Sequence, residues 1–291
     1  MNAWLVVNAF LQTSSFQRME AVFHEAARET GVRLTTVSNA EFLSDRSLAQ
    51  PPEKALFFDK DLRLARRMEL AGMRLYNSEQ AITNCDDKTL TTLLLSQAGL
   101  PQPDTLLCPM TYPAIGYPAL DFLDEVASRL GFPMVVKEGK GSFGKQVYLV
   151  HSMEELKHTV SAHAGSELLF QRFIKETAGQ DIRLFVVGSQ VVASIKRVNH
   201  AGDFRANLEN GSTAHPYQAS KEEEALALAA SRVCGTDYAG VDILQSKNGP
   251  LVCEVNSNAH FLGLMAVTGV NPALSILRLM KEGDDEHLAG V

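Results

Sequence analysis

Over residues 1–75, short apolar runs alternate with amphipathic stretches. Residues 4–7 form an unbroken apolar run, the pattern of a buried first strand. Ser14-x-x-Gln17 has the spacing of a capping box, and Phe16, Met19, Val22, Phe23 and Ala26 then recur at helical intervals as far as Gly31. Residues 32–37 and 54–58 read as strands, and 61–71 as a charged helix stopped by Gly72. Strands alternating with helices in this order predict a small parallel sheet covered by helices. A boundary is expected near Asn77 or Ser78, which makes 1–78 an α/β N-terminal domain.

Beyond that boundary the pattern changes. Residues 79–98 predict one helix, ended by Gly99-Leu100-Pro101, and the proline-rich stretch 101–120 predicts an ordered but irregular connection. A helix at 121–130 stops at Gly131. Strands at 132–137 and 147–150 flank the segment EGKGSFGKQ, Ser152-x-x-Glu155 opens another helix, and 168–174 is a strand. Residues 182–198 predict a hairpin about Gly188-Ser189. Ser220-x-x-Glu223 caps an Ala/Leu-rich helix ending at Gly235. Residues 238–244 and 250–255 predict a second hairpin about Asn248-Gly249, and 272–282 a last helix. Hairpins mixed with helices make 79–291 an α+β rather than a doubly wound region, and no internal repeat is visible.

Composition narrows the function. A length of 291 residues suits about two domains. The balance of 27 Lys+Arg against 34 Asp+Glu gives −7, which argues against general nucleic-acid binding but leaves room for a local basic pocket that holds an anion such as ATP. No apolar stretch approaches the ~18 residues of a membrane span, and the first residues lack the basic start of a signal peptide, so a cytoplasmic location is expected. Cys85, Cys108, Cys234 and Cys253 form no C-x-x-C pair and read as reduced, mostly buried thiols. The histidines lack zinc-site spacing, and no G-x-S-x-G elbow is present. His260 reads as a packing or surface residue that could also line a pocket.

Three groups of residues carry candidate chemistry. Gly139, Gly141 and Gly144, with Ser142 among them, follow strand residue Lys137. Such a loop can bring backbone N–H groups close to phosphate, or be a plain hairpin tip. It is neither a Walker A loop nor a dinucleotide fingerprint, since no G-K-[ST] closes it and a strand follows it. Asp242, Glu254 and Asn256 lie in the apolar arms of the second hairpin, where alternation puts Glu254 and Asn256 on one face. Three oxygen donors suit Mg2+ or Mn2+, or the acids belong to a solvated outer face. Lys88, Lys196, Arg197, Arg205 and Asn207 suit charge developing on a transferred phosphoryl group, or are ordinary surface residues.

These signals occur in one order: a lysine before a helix, a strand lysine with a glycine loop, a further strand, then D-x-L and E-x-N. With the blocks QRFIKETAGQDIRLFVVG, GDFRANLENG and VCEVNSNAHFLG they resemble the ATP-grasp superfamily, and within it the RimK-type amino-acid ligases, over nearly the whole chain. The resemblance implies two α+β subdomains, 79–170 and 171–291, clasping ATP with two Mg2+ or Mn2+ ions. It implies that Lys88 and Lys137 hold phosphates, that 139–145, with Gly141, Ser142 and Gly144, forms a lid, and that Gln171, Arg172, Phe173 and Ile174 read adenine. It puts Asp181 at the ribose, Arg205 and Asn207 at the nucleotide, and Asp242, Glu254 and Asn256 at the metals. It further implies Arg197 and Arg205 as catalytic residues and Lys196 and Asn258 as substrate residues. Arg172 departs from the family's usual glutamate, and SNAHFLG from the Ala-Ser-Pro-Gly run of ribosomal-tail glutamylating members. The implied activity is ATP-dependent joining of glutamate or a similar amino acid to a peptide tail or a small acidic acceptor through an acyl phosphate. A homo-oligomer, dimer or tetramer, and no nucleic-acid or membrane partner are implied with it. The rival classes are a nucleotide-binding regulator that kept the fold without turnover, and a kinase that stops at phosphoryl transfer.

Overall fold

A computed structural model describes residues 1–44, 48, 50–141, 144–208 and 211–283, so the expectation for Ser142 lies outside the described residues. The chain opens with β1 (Asn2–Val7), α1 (Ser14–Thr30), β2 (Arg33–Ser38), β3 (Lys54–Phe57), α2 (Leu62–Leu70) and β4 (Arg74–Tyr76). These strands make a parallel sheet in the order β2-β1-β3-β4. The cap of α1 is Thr13 rather than the expected Ser14: extended backbone lets Thr13 Oγ1 accept from Phe16 N at 3.2 Å, so Ser14 is already helical. The short strand β4 has too few residues to show a period of two.

The predicted single helix at 79–98 is two helices, α3 (Glu79–Asp86) and α4 (Lys88–Gln97). Asp87 breaks them. Its backbone is extended, and its carboxylate accepts from Thr89 N and Leu90 N to cap α4. That break places Lys88 at the first turn of α4. Within the supposedly irregular 101–120, β5 (Thr105–Leu107) joins a second sheet with β6 (Met134–Glu138), β7 (Val147–Val150) and β8 (Leu168–Arg172), in the order β5-β8-β6-β7. Helices α5 (Phe122–Leu130) and α6 (Met153–Ala162) cover it.

The third sheet has the order β11-β10-β9-β12-β13, from β9 (Gln180–Val187), β10 (Gln190–Val198), β11 (Thr213–Pro216), β12 (Tyr238–Ser246) and β13 (Gly249–Asn256). One face packs on α7 (Lys221–Cys234). The other meets the N-terminal sheet, α8 (Leu262–Thr268) and α9 (Pro272–Glu282) in a shared core. Phe261 sits at its centre, with ring centroids 5.5 Å from both Phe23 of α1 and Phe185 of β9, near-perpendicular to each. Asn77, fully buried, fastens the same junction: Nδ2 donates to the Tyr238 and Ser257 carbonyls, and Oδ1 accepts from Asp237 N and Tyr238 N. Such complete pairing is what makes a buried amide tolerable. No single helix among the described residues is long and apolar enough to cross a membrane.

Candidate active site

The face of the third sheet opposite α7 carries charge in its middle. Across the strands, Arg197 of β10 stands opposite Asp181 of β9, Arg183 of β9 opposite Asp242 of β12, and Asp242 opposite Glu254 of β13; Asn256 is opposite Gly240. The pairing shifts after Asp242, and Cys253 is the residue skipped. Gly240 is required here. A Cβ on it would lie 2.6 Å from Ala259 Cβ, so only glycine lets the segment after β13 fold back over β12.

Four of these side chains form a closed set. Arg183 Nε and Nη2 donate to the two Asp242 oxygens at 2.7 Å each. Arg197 Nε and Nη2 donate to Asp181 at 2.6 and 2.5 Å, and Nη2 also lies 3.0 Å from Asp242 Oδ2. The buried Asp242 and the largely covered Asp181 are thus matched by two guanidinium groups. Burial pushes the Asp242 carboxyl up, but Arg183 and Arg197 outweigh it and hold the group below its ordinary value. For Asp181 burial prevails over Arg197, helped by the Asp242 charge, and its carboxyl is raised. Burial works against the Arg197 charge, yet Asp242 and Asp181 raise its already high value further.

The second sheet supplies the facing wall of a cleft. Lys88 Nζ donates to the Gly141 carbonyl at 3.0 Å and lies 3.5 Å from Glu254 Oε1. Lys137 is buried, its Nζ 3.8 Å from Cys253 Sγ, and it pairs with no carboxylate among the described residues. The Cys253 thiol is pushed up by burial despite the pull of Lys137, so its neighbour is a neutral group. Arg205 Nη1 donates to the Gly144 carbonyl at 2.6 Å while its other nitrogens hold Asp203, tying the glycine loop to the segment after β10. Gln146 Oε1 is buried in the same wall without a hydrogen-bond partner among the described residues.

Val135, Phe173, Ile174, Phe204, Ala206 and Leu244 also line this cleft, with Gln171, and make up its apolar slot. Gln171 Nε2 is taken by Thr105 Oγ1 at 3.0 Å. The Arg172 guanidinium donates to Asp104 and to the Leu130 and Arg129 carbonyls. The space between the walls, open solvent at its mouth included, is about 880 Å³. A second cleft adjoins it, and Gly141, Arg197, Asn207 and Glu254 line both. Its far side comes from the N-terminal sheet, through Asn8 after β1 and Phe58 and Asp59 after β3.

Gly144 takes a backbone conformation that L side chains rarely adopt, and a Cβ there would force Asn207 to shift. Its φ is +70°, and a Cβ would lie 2.8 Å from Asn207 Oδ1. Gly144→Ala is expected to cost about 1–2 kcal/mol of local strain, a fall of a few degrees in melting temperature, and to raise the KM for ATP several-fold. An unaltered KM in steady-state assays would show that this turn does not bear on nucleotide binding.

The description RimK-like ATP-grasp domain fits residues 85–280. The chain belongs to that family. An uncharacterized MG012 homolog from Mycoplasma pneumoniae is 31% identical over 276 residues, covering 92% of this chain and 95% of that protein. A probable alpha-L-glutamate ligase from Vibrio parahaemolyticus is 36% identical over 212 residues, covering 72% of this chain and 68% of that one. Among solved structures, D-alanine–D-alanine ligase from Bacillus anthracis, complexed with ATP, superposes with a TM-score of 0.71 at 19% identity, covering 97% of this chain and 96% of that one. The fold is the ATP-grasp fold, and the RimK-like chain is a ligase that forms carbon–nitrogen bonds.

Within this RimK-like frame most sequence candidates converge. Lys88, Lys137, Gly141, Gly144, Gln171, Arg172, Phe173, Ile174, Asp181, Arg197, Arg205, Asn207, Asp242 and Glu254 line the first cleft, while Asn256 and Asn258 line the second. Lys196 does not join them. It stands opposite Ile182, on the face of β10 turned to α7, because neighbours on a strand point to opposite faces. Sequence reasoning passed over Arg183, Asn8 and Asp59. Arg183 shares its strand parity with Asp181, a signal that was present in QDIRLFVV. His260 lines the second cleft, its ring 6.2 Å from that of Phe58.

Proposed function

We propose that this chain is an ATP-dependent carboxylate–amine ligase that adds glutamate or a similar amino acid to a peptide or small acidic acceptor through an acyl phosphate. The observation that carries the reading is the junction of the two clefts at Glu254, Arg197, Asn207 and Gly141, beside a buried Lys137 with no carboxylate partner among the described residues. An anion laid along the first cleft would find Lys137 and Lys88 for its phosphates and the apolar slot for a base. Its terminal phosphoryl group would then face the second cleft, where an acceptor enters.

The donor set fits a divalent cation. Asp242 and Glu254 supply carboxylate oxygens from paired positions. Asn256 Nδ2 is turned to the Gly240 carbonyl and Asp242, which leaves its Oδ1 without a hydrogen bond among the described residues. Mg2+ held there, as one ion or two, would supply countercharge to the phosphates. In the reaction, an acceptor carboxylate oxygen bonds the γ-phosphorus as the bond to the β-phosphate oxygen breaks and ADP leaves. The amine nitrogen then bonds the acyl carbon, phosphate departs and the amine gives up its proton. Arg197, already fixed by two acids, offers a preorganised cation to the developing oxyanion. The lid tied down by Arg205 keeps water from the acyl phosphate. The reading takes residues 1–78 as the domain that completes the acceptor side and 79–291 as the ATP-grasp domain, acting in the cytoplasm where ATP and amino acids meet.

Lys137→Ala tests it. With amine-dependent ADP release as the assay, the KM for ATP is expected to rise at least ~10-fold, the size of one lost charge-assisted contact, with the KM for the amine nearly unchanged. Equal loss for both substrates would make Lys137 a structural residue. No ADP release over a panel of amino acids and acidic acceptors would defeat the ligase reading.

A further inference from the structure

The second cleft holds a carboxylate that the reaction above does not use. Asp59 follows β3 and is only 9% exposed. Its bonding partners are neutral: Asn8 Nδ2 donates to both oxygens, at 3.2 and 3.3 Å, and the Lys60 backbone N–H donates to Oδ1 at 2.7 Å. No lysine, arginine or histidine forms an ion pair with it among the described residues. The other acids of this cleft are matched: Glu254 has Lys88, and Asp86 has the Lys60 ammonium. A buried carboxylate without a cation is costly, and burial raises its carboxyl above the ordinary value.

Its position favours a ligand. Asn8 and Asp59 lie just past the C-terminal ends of β1 and β3, adjacent parallel strands, where open α/β sheets take their ligands. Asn258 Nδ2 donates to the Asp59 carbonyl at 2.7 Å, fixing the segment after β13 against this spot. Beside the carboxylate the wall is apolar: Phe16, Phe58 and the His260 ring, with Phe10, 82% exposed, at the mouth.

We propose that Asp59 binds the primary ammonium of the substrate that occupies the second cleft, with the adjoining carbon frame against the Phe16–Phe58–His260 wall. Unlike a metal or a polyanion, an ammonium fits one carboxylate that is already backed by neutral donors. The inference rests on the ligase reading and deepens it: the ammonium held by Asp59 is one carried by the acceptor, apart from the amine that attacks.

Calorimetric titration of the full chain with L-phenylalaninamide tests the assignment, because that probe has an ammonium and a ring but no carboxylate. It is expected to bind, and N-acetyl-phenylalaninamide at least ~10-fold more weakly, consistent with loss of a charge-assisted bond. Asp59→Asn is expected to lose at least ~10-fold for the first probe and nothing for the second. Asn8→Lys, which tethers an ammonium beside Asp59, is expected to block the probe and serves if Asp59→Asn does not fold. No binding, equal binding of the two probes, or normal binding by a folded Asp59→Asn or Asn8→Lys protein would overturn the proposal. Asp59-dependent binding without ADP release for any acceptor would uphold it and defeat the ligase reading. Amine-dependent ADP release that ignores Asp59 would do the reverse.

Discussion

Glu254→Gln is expected to remove amine-dependent ADP release, lowering kcat at least about a thousandfold, roughly 4 kcal/mol of lost transition-state stabilisation. The folded protein should scarcely notice the change. Glutamine keeps the size and one oxygen, and the only ion pair lost among the described residues is the 3.5 Å contact with Lys88 on a side chain that is 30% exposed. Such a pair contributes about 1 kcal/mol at most, so the melting temperature should move by no more than a few degrees. The asymmetry has a structural reason. Both oxygens of Asp242 are engaged by arginine, whereas Glu254 brings a negative charge to the junction of the clefts with one lysine beside it. Of the two it is the carboxylate with more capacity left for a cation. Near-normal ADP release by the variant would remove Glu254 from the proposed metal-holding set.

What the sequence disclosed of the fold was what local chemistry dictates. Ser220 and Glu223 form their capping box in full. The last hairpin turns one residue earlier than expected, at Lys247-Asn248, with Gly249 at a φ of +110° opening β13 opposite Ser246. The elements passed over have weak local signals. The strands β4 and β5 are too short for a period to show, β11 is an edge strand reading Thr-Ala-His-Pro, and α8 lacks a side-chain cap. The break at Asp87 was hidden because an aspartate inside a continuous helical pattern looks like a surface residue. Only its bonds to Thr89 N and Leu90 N reveal a cap.

The candidate site divides the same way. Alternation in E-x-N puts Glu254 and Asn256 on one face, and the hairpin turn brings Asp242 across to Glu254, so that trio was readable. The choice between Lys196 and Arg197 was not. Parity says that one points into the cleft, and the register of β10 on β9, set by distant packing, decides which. The contact between Asn8 and Asp59 joins residues 51 apart in sequence, on loops with no motif. It exists because two parallel strands end side by side, which is a property of the sheet and not of either loop.

Arg197→Met is expected to cost about 3–5 kcal/mol of stability, because it removes one cation from a buried set of two and leaves two acids sharing Arg183. Methionine preserves most of the volume, so the loss is electrostatic and not a cavity. For a chain of this size the melting temperature should fall by about 10 °C, alongside the loss of ADP release. Adding Asp181→Asn should recover part of the stability by restoring charge balance, without restoring activity. The pH dependence has a definite sign. In the parent protein Asp242 is held below its ordinary value, so its contribution is present above about pH 4 and is lost as pH falls through its folded value. Asp181 is already raised by burial, and without Arg197 it rises further. A carboxyl raised in the folded state costs nothing below its unfolded value, and its penalty grows as pH climbs through the folded one. Both effects narrow the gap between parent and variant in acid and widen it towards neutrality. Thermal melts across that range would decide the matter: a gap independent of pH, or a double variant no more stable than the single one, would mean that Arg197 acts by packing and not as the shared counterion of Asp181 and Asp242.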